Sequence, residues 1–400
     1  MKRLFLQAGL GAVSGLICGV ASAGFLAGLD LVTGWRLAHP WLVWWLPLVG
    51  VLMGLAAERI GVPVKAGTSL LIERARDGGP RVPLRMAPIV LIGTWVTHLF
   101  GGSAGREGTA VQMGASLTDW VTHRVPVDAE VRRRLLLAGV AGGFGSVFGT
   151  PIAGVVFALE FVAPGTFAVA AFVPAVIAAF LGDFITRALG IVHTPYPTLA
   201  PLEWSLPLAG KWALFAFGIW AATVAFIALK KRVSLSPWGE GRGEGSGPVR
   251  MFGAGVVVVA VWWLFDAGDA LGLGVPTIVR AFHDAGLPVS LFAVKLVLTA
   301  VTVGAGFFGG EVTPLFFIGA ALGNVLARGL GLPIDYGAGV GMAVCFGLAS
   351  NAPLALAVMA GELLGVNVLS HVLVVMVIAS VLHRRKWSIY PAQLKPAERG

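Results

Sequence analysis

The sequence predicts an all-α integral membrane protein built from two repeated halves, with many helices interrupted or too short to span a bilayer. Three observations predict this. Charges are too few for a soluble surface, the apolar segments are broken by glycine and proline, and the two halves lie over one another. The chain has 400 residues, with 29 Lys and Arg and 20 Asp and Glu, so charged residues make up 12%. Soluble proteins carry roughly a quarter. The hydrophobic share is 57% and mean hydropathy is +0.85. Lipid is therefore the main solvent. The 56 glycines and 23 prolines exceed what plain membrane helices need and suit broken helices and close backbone packing.

In chain order, apolar segments fall near residues 4–33, 41–57, 86–101, 109–122, 134–163 and 167–192. Others follow near 207–229, 249–267, 290–308, 312–331, 336–360 and 362–382. Several are shorter than the ~20 residues that span a bilayer. The first begins Met1-Lys2-Arg3 and passes Ala21-Ser22-Ala23, like a secretory leader, but stays apolar to Thr33. It is read as an uncleaved first membrane helix. The stretch Ser234–Pro248, rich in Gly, Ser and Pro, reads as an exposed linker. The expected division is a first half at 1–230, a connecting loop at 231–250, and a second half with a short tail at 251–400.

Three blocks carry the repeat. Gly67, Asp77 and Gly79 fall on Gly274, Asp284 and Gly286, 207 apart. Gly105 and Gly114 fall on Gly310 and Gly319, 205 apart. Phe144, Gly145, Pro151, Ala153 and Glu160 fall on Phe346, Gly347, Pro353, Ala355 and Glu362, 202 apart. Repeated halves with broken helices place a substrate site near the membrane midplane, where helix ends meet.

The net charge of +9 comes from short basic clusters: Lys2 and Arg3, Arg132 to Arg134, Lys230 to Arg232, and Arg384 to Lys386. They read as the positive-inside bias rather than as a nucleic-acid surface, and they place both termini in the cytoplasm. Cys18 and Cys345 lie in apolar segments with no metal spacing. The seven histidines form no HxxxH pair, and nucleotide-binding loops and nucleophile elbows are absent. Neither an enzyme, a metal site nor a cofactor is expected.

The sharpest segment is Gly101–Gly114, where Gly105-Arg106-Glu107-Gly108 opens a short apolar helix. A carboxylate at membrane depth is costly and persists where it meets water, a partner or an ion. A helix N-terminus offers partial positive charge and free N–H groups to an anion. Glu107 stands where such an anion would sit, so a protonatable plug is one reading. The plainer alternative is a surface ion pair with Arg106. The matching run Gly309-Gly310-Glu311-Val312-Thr313-Pro314 again puts a carboxylate at a helix start, with Pro314 suited to the first turn. Glu311 is either a second working carboxylate or a cap. Thr68 and Ser69 follow another glycine turn and are further hydroxyl donors. Glu160 and Glu362 read as structural caps or interfacial residues.

These motifs, in this order from about residue 60 to 390, resemble the CLC family of chloride channels and anion/proton antiporters. The resemblance rests on the GREG run with Thr109, Gln112 and Gly114, the GGEVTP run, and the paired Phe144–Glu160 and Phe346–Glu362 segments. It implies a CLC-type inverted-repeat bundle of some eighteen helices, tilted or partly spanning, in a homodimer with one pore per subunit. It implies Glu107 as the gating glutamate and Tyr390, in Trp387-Ser388-Ile389-Tyr390-Pro391, as the pore tyrosine. Tyr196 and Tyr336 are read as loop residues outside that role. Val312, the Ala66–Leu70 turn and Phe161 depart from the chloride-type pattern and resemble the fluoride-exporting branch. There the second run supplies another proton-path glutamate, here Glu311, and a threonine near fluoride, here Thr313. The expected activity is a fluoride/proton antiporter of the cell inner membrane, with a chloride channel or chloride/proton antiporter as the alternative. The anion, fluoride or chloride, is expected near Gly105, Arg106, Gly108, Val312, Thr313 and Tyr390, and its counterpart is the proton. Membrane lipid is the surrounding partner, and no cofactor or nucleic acid is expected.

Overall fold

A computed structural model describes residues 2–61, 64, 66–235, 246–384 and 386–395. The residues 236–245 of the expected linker, and Lys65 before the Thr68 turn, lie outside the described residues. Sixteen α-helices occur among those described. They are α1 (Lys2–Ala38), α2 (Leu46–Ile60), α3 (Thr68–Asp77), α4 (Met86–Leu99), α5 (Glu107–Thr122), α6 (Ala129–Phe148), α7 (Pro151–Glu160) and α8 (Phe172–Ala188). Then come α9 (Leu206–Ser234), α10 (Ser246–Phe265), α11 (Val275–Arg280), α12 (Leu291–Ala305), α13 (Val312–Leu330), α14 (Ile334–Ser350), α15 (Pro353–Leu364) and α16 (Leu369–His383). Seven of the described helical stretches are long and apolar enough to cross a membrane. The first runs unbroken through Ala21-Ser22-Ala23.

The second eight helices repeat the first eight. α1 packs on α4, α5, α6 and α8, and α9 packs on α12, α13, α14 and α16. The helix pattern thus divides in the loop at 189–205. The expected boundary lies at 231–250, and the packing pattern favours the earlier loop. The Gly-Ser-Pro stretch falls between the first and second helices of the second half. Its composition is that of a linker, which need not coincide with the point of repetition.

Local chemistry makes the two halves alike. α6 starts at Asp128, whose carboxylate accepts from Val131 N at 2.8 Å, a normal N-cap. It ends at Gly149 in the left-handed region, and α14 ends the same way at Asn351, with φ of 73° and 51°. Pro151 and Pro353 then start α7 and α15. Each hairpin turns sharply, so a short helix folds back on a long one.

Two glycine contacts explain the tight packing. A methyl group at Gly114 of α5 would meet the carbonyl of Gly139 in α6, and one at Gly319 of α13 would meet that of Gly341 in α14. Backbones approach this closely only without a Cβ.

Glu160 and Glu362 act across the halves. Glu160, at the end of α7, accepts from Leu354 N at 3.2 Å and Ala355 N at 2.8 Å at the start of α15. Glu362, within α15, accepts from Ile152 N at 3.0 Å and Ala153 N at 2.6 Å at the start of α7. Each glutamate caps the other half's helix, the structural role read from the sequence.

Candidate functional site

The site lies where α5 and α13 begin. α4 ends at Leu99, and Gly101, with φ of 83°, turns the chain. The turn is pinned by His98 and Ser103. A ring nitrogen of His98 lies 3.0 Å from the Ala104 carbonyl, and the Ser103 hydroxyl lies 2.8 Å from that of Thr299 on α12. In the second half α12 ends at Gly306, and Gly309 takes φ of 143° before the chain enters α13.

The two turns meet in an isolated antiparallel bridge. Gly105 N donates to Gly310 O at 2.6 Å, and Gly310 N donates to Gly105 O at 2.8 Å. These glycines are repeat mates, so the bridge falls on the pseudo-twofold axis and brings two helix N-termini together. The Gly105 N–H is committed to this bridge, so Gly105 supplies the turn and not an anion donor. Gly108 approaches Gly310 closely: a Cβ on it would lie 3.2 Å from Gly310 Cα.

Glu107 is the first residue of α5 and is 0% exposed. Its carboxylate does not lie along its own helix. It sits on the N-terminus of α13, where Oε2 accepts from Thr313 N at 3.1 Å and Oε1 accepts from the Thr313 hydroxyl. Oε2 also accepts from Arg106 N at 3.2 Å, and Arg106 Nε lies 3.4 Å from Oε1. The pairing with Arg106 is thus buried rather than at a surface. Glu107 pairs with Arg106, and its carboxylate occupies an anion position at a helix N-terminus. Charge-assisted bonds of this kind are about twice as strong as neutral ones.

Glu311 is the N-cap residue of α13, but its side chain makes no cap bond. It is 9% exposed and forms an ion pair with Lys230 on α9. Lys230 Nζ also donates to Ile389 O at 3.1 Å. The next residue, Tyr390, is buried and lies within electrostatic reach of both Glu311 and Glu107. Val312 and Thr313 are buried between them. Glu107, Glu311, Thr313, Val312, Arg106 and Tyr390 therefore gather at one place. Thr68 and Ser69 open α3 instead. Thr68 accepts from Gln112 Nε2 at 3.2 Å, which links that turn to α5 rather than to Glu107.

The Tyr390 segment is held by a buried amide. Gln393 Nε2 donates to Phe161 O at 2.7 Å and to Ser350 O at 2.8 Å, and its Oε1 accepts from the Ser388 hydroxyl at 2.6 Å. Tyr390 N donates to Ser388 Oγ at 2.9 Å, and Asn351 Nδ2 donates to Trp387 O at 2.9 Å. Phe161 contributes its backbone carbonyl here.

Sequence reasoning missed Lys230, Gln393, Ser388 and Asn351. The sequence groups Lys230 with a basic cluster of the positive-inside bias, yet the buried face of α9 runs Thr223, Phe226 and Ile227, and that spacing places Lys230 next on the same stripe. Gln393 offers no comparable signal. Two tyrosines also differ from expectation. Tyr336 lies within α14, not in a loop, and its hydroxyl donates to Ala200 O at 2.6 Å. Tyr196, in the loop between the halves, lies within electrostatic reach of Arg106 and Glu107, with its ring 6.0 Å from that of Phe282.

Comparison with known proteins follows the same lines. Residues 49–384 match the family described as voltage gated chloride channel. The chain is 44% identical over 393 residues to a chloride/fluoride channel protein of Pseudomonas syringae pv. tomato, covering 94% of this chain and 84% of that protein. It is 27% identical over 383 residues to an H(+)/Cl(-) exchange transporter, ClcA, of Vibrio vulnificus, covering 88% of this chain and 79% of that one. Among solved structures it is similar to a CLC-type fluoride/proton antiporter, with a TM-score of 0.92, 32% identity and 98% of each chain covered. A slow cyanobacterial Cl-/H+ antiporter shares the fold, with a TM-score of 0.78 at 20% identity and 95% of each chain covered.

Proposed function

The chain belongs to the voltage gated chloride channel family, and within it we propose that this protein is a fluoride/proton antiporter that exports fluoride. One observation carries the reading. The Glu107 carboxylate is seated on the N–H and hydroxyl of Thr313, with the second carboxylate, Glu311, at the preceding residue of the same turn. Such a seat offers an anion the Thr313 N–H and hydroxyl, with the Arg106 N–H beside them, in a buried space. A small, strongly hydrated anion needs many donors to replace its water, and fluoride is the halide most in need of them. The likeness to a fluoride/proton antiporter over 98% of both chains supports the same choice.

In the proposed cycle, Glu107 takes a proton, loses its hold on Thr313 and leaves the seat. The anion then takes over the Thr313 N–H and hydroxyl, with Tyr390 alongside. Arg106 stays beside the seat and lowers the cost of either negative occupant. Glu311 carries the proton on the opposite side of the bridge. The assembly is read as a homodimer with one pore per subunit in the bacterial inner membrane. The family resemblance supports the dimer, and the basic clusters support cytoplasmic termini.

Reconstitution tests this reading. Purified protein in liposomes loaded with fluoride or chloride is followed by ion electrodes, with a pH dye inside. Fluoride efflux faster than chloride, with opposed proton movement, is the expected result. Chloride efflux equal to or faster than fluoride makes the protein a chloride transporter of the same family. Efflux without opposed proton movement makes it a channel.

A further inference from the structure

We propose that Lys230 is a positioning residue that couples proton arrival at Glu311 to entry of the anion from the cytoplasmic side. The inference rests on the antiport reading above. It starts from an ion pair in the wrong place for a surface cluster. Lys231 and Arg232, the next two residues, are exposed. Lys230 instead turns inward from the last turns of α9, pairs with Glu311 and donates to Ile389 O at 3.1 Å. The lysine thereby ties the second glutamate of the anion turn to the segment that carries Tyr390. The end of α9 is fixed for this task, since the Ser234 hydroxyl donates to Gly304 O at 3.0 Å on α12.

Other titratable groups on the surrounding elements are engaged elsewhere. Arg250 on α10 donates to Ala305 O at 2.8 Å. A ring nitrogen of His383, at the end of α16, lies 2.9 Å from Trp387 O. Cys345 on α14 accepts from the Thr223 hydroxyl at 3.5 Å. Lys295, on α12, donates to Ala270 O and Gly272 O at 3.0 and 2.6 Å. Glu107 is bound to Thr313 and Arg106, and Tyr390 lies within reach of both carboxylates. Glu311 is thus the acid whose protonation changes the charge balance at Lys230.

The charge arithmetic gives the coupling. With Glu311 ionised, the pair is neutral and Lys230 has no need of an anion. A proton arriving on Glu311 from the outer side leaves Lys230 with an unbalanced charge at the inner mouth. Fluoride from the cytoplasm becomes its new partner. When the anion moves on to the Thr313 seat, Lys230 again needs a negative neighbour. Glu311 then ionises and releases its proton inward. One proton has moved in and one anion out, with the inner mouth returned to neutrality. Each ligand thereby raises the affinity for the other at that mouth, by the same factor.

The test compares wild type with Lys230→Met, Lys230→Arg, Glu311→Gln and the charge-neutral double variant Lys230→Met/Glu311→Gln. Two readouts are needed. In liposomes, the pH profile of fluoride efflux and the ratio of proton to fluoride flux are recorded. In weakly buffered detergent solution, a pH dye records proton uptake when sodium fluoride, or sodium chloride, is added to the protein. We expect Lys230→Met to flatten the pH profile and cut both the proton-to-fluoride ratio and salt-induced proton uptake, by about tenfold. Lys230→Arg restores at least half of each. The double variant matches Glu311→Gln alone, since without the acid the lysine has nothing to couple.

A Lys230→Met protein with the wild-type pH profile and flux ratio overturns the proposal. So does a double variant that loses far more coupling than Glu311→Gln. If Lys230→Met alone does not give a monodisperse protein, the comparison of Lys230→Arg with the double variant decides. The proposal then requires coupling in the first and none beyond Glu311→Gln in the second. Failure of the fluoride assignment is seen separately, in wild type, as chloride efflux equal to or faster than fluoride. The proton-uptake readout with sodium chloride still tests Lys230 in that case.

Discussion

The backbone N–H of Thr313 donates to Glu107 Oε2 at 3.1 Å, and the Thr313 hydroxyl donates to the other oxygen of the same carboxylate. Two residues from different halves of the chain are thus joined by the bonds that, in the proposed cycle, an anion would use. The glutamate of one repeat occupies the helix terminus of the other, and the donors that stabilise it stand ready for whatever replaces it. In the proposed cycle, exchange of the carboxylate for a mobile anion needs no rebuilding of the site.

Glu107→Gln keeps the size of the side chain and removes its titration. The amide can still accept from Thr313 N, so the seat stays filled. Proton flux in the liposome assay is expected to fall at least about tenfold, because a neutral amide neither takes nor gives a proton at working pH. Unchanged proton-coupled efflux removes Glu107 from the mechanism.

Thr313→Val removes one donor of the seat and keeps its shape. A hydrogen bond to a charged group contributes about 1.5–3 kcal/mol, so fluoride is expected to bind about 10 to 100-fold more weakly. Titration calorimetry with sodium fluoride measures this. Thr313→Ser keeps the hydroxyl and should recover most of the affinity; equal binding by all three proteins excludes the hydroxyl as a ligand.

Gln393→Leu tests the hold on Tyr390. It leaves the Phe161 and Ser350 carbonyls and the Ser388 hydroxyl without their buried partner. Each such orphan costs about 1–3 kcal/mol. A lower thermal midpoint in detergent is expected, together with reduced transport as the tyrosine segment loosens. A variant as stable and active as wild type contradicts this role.

Gly319→Ala places a methyl group against the Gly341 carbonyl on α14. Overpacking of a tight contact costs about 1–3 kcal/mol, and a clear fall in thermal midpoint should follow. Gly253→Ala on α10 serves as the control, since a Cβ there meets nothing within 4 Å. Equal behaviour of the two variants would refute the close-packing account of these glycines.

The parts of the site legible in the sequence share one property. Glu107, Glu311 and Thr313 sit beside glycine turns at helix starts, where local sequence and local structure coincide. The fold was legible for a similar reason, because proline starts and glycine stops recur at matched positions in both halves. Lys230 was obscured by two basic neighbours that do face outward, although helical periodicity placed it on the buried stripe. Gln393 could not be found in this way. Its partners Phe161 and Ser350 are 232 and 43 residues away, and nothing in a short tail announces such distant carbonyls. The division of the repeat was obscured because the Gly-Ser-Pro composition at 234–248 is conspicuous, whereas the helix pattern divides at the plainer loop 189–205.

The crossed caps of Glu160 and Glu362 bear on how this protein is made. During synthesis the first half leaves the ribosome with Glu160 lacking the amides of Leu354 and Ala355, and with the start of α7 lacking Glu362. A carboxylate and a set of bare N–H groups then wait at opposite ends of the same ten-residue helix until the second half arrives. These four bonds form only once both halves are present, so the two halves complete each other's short helices.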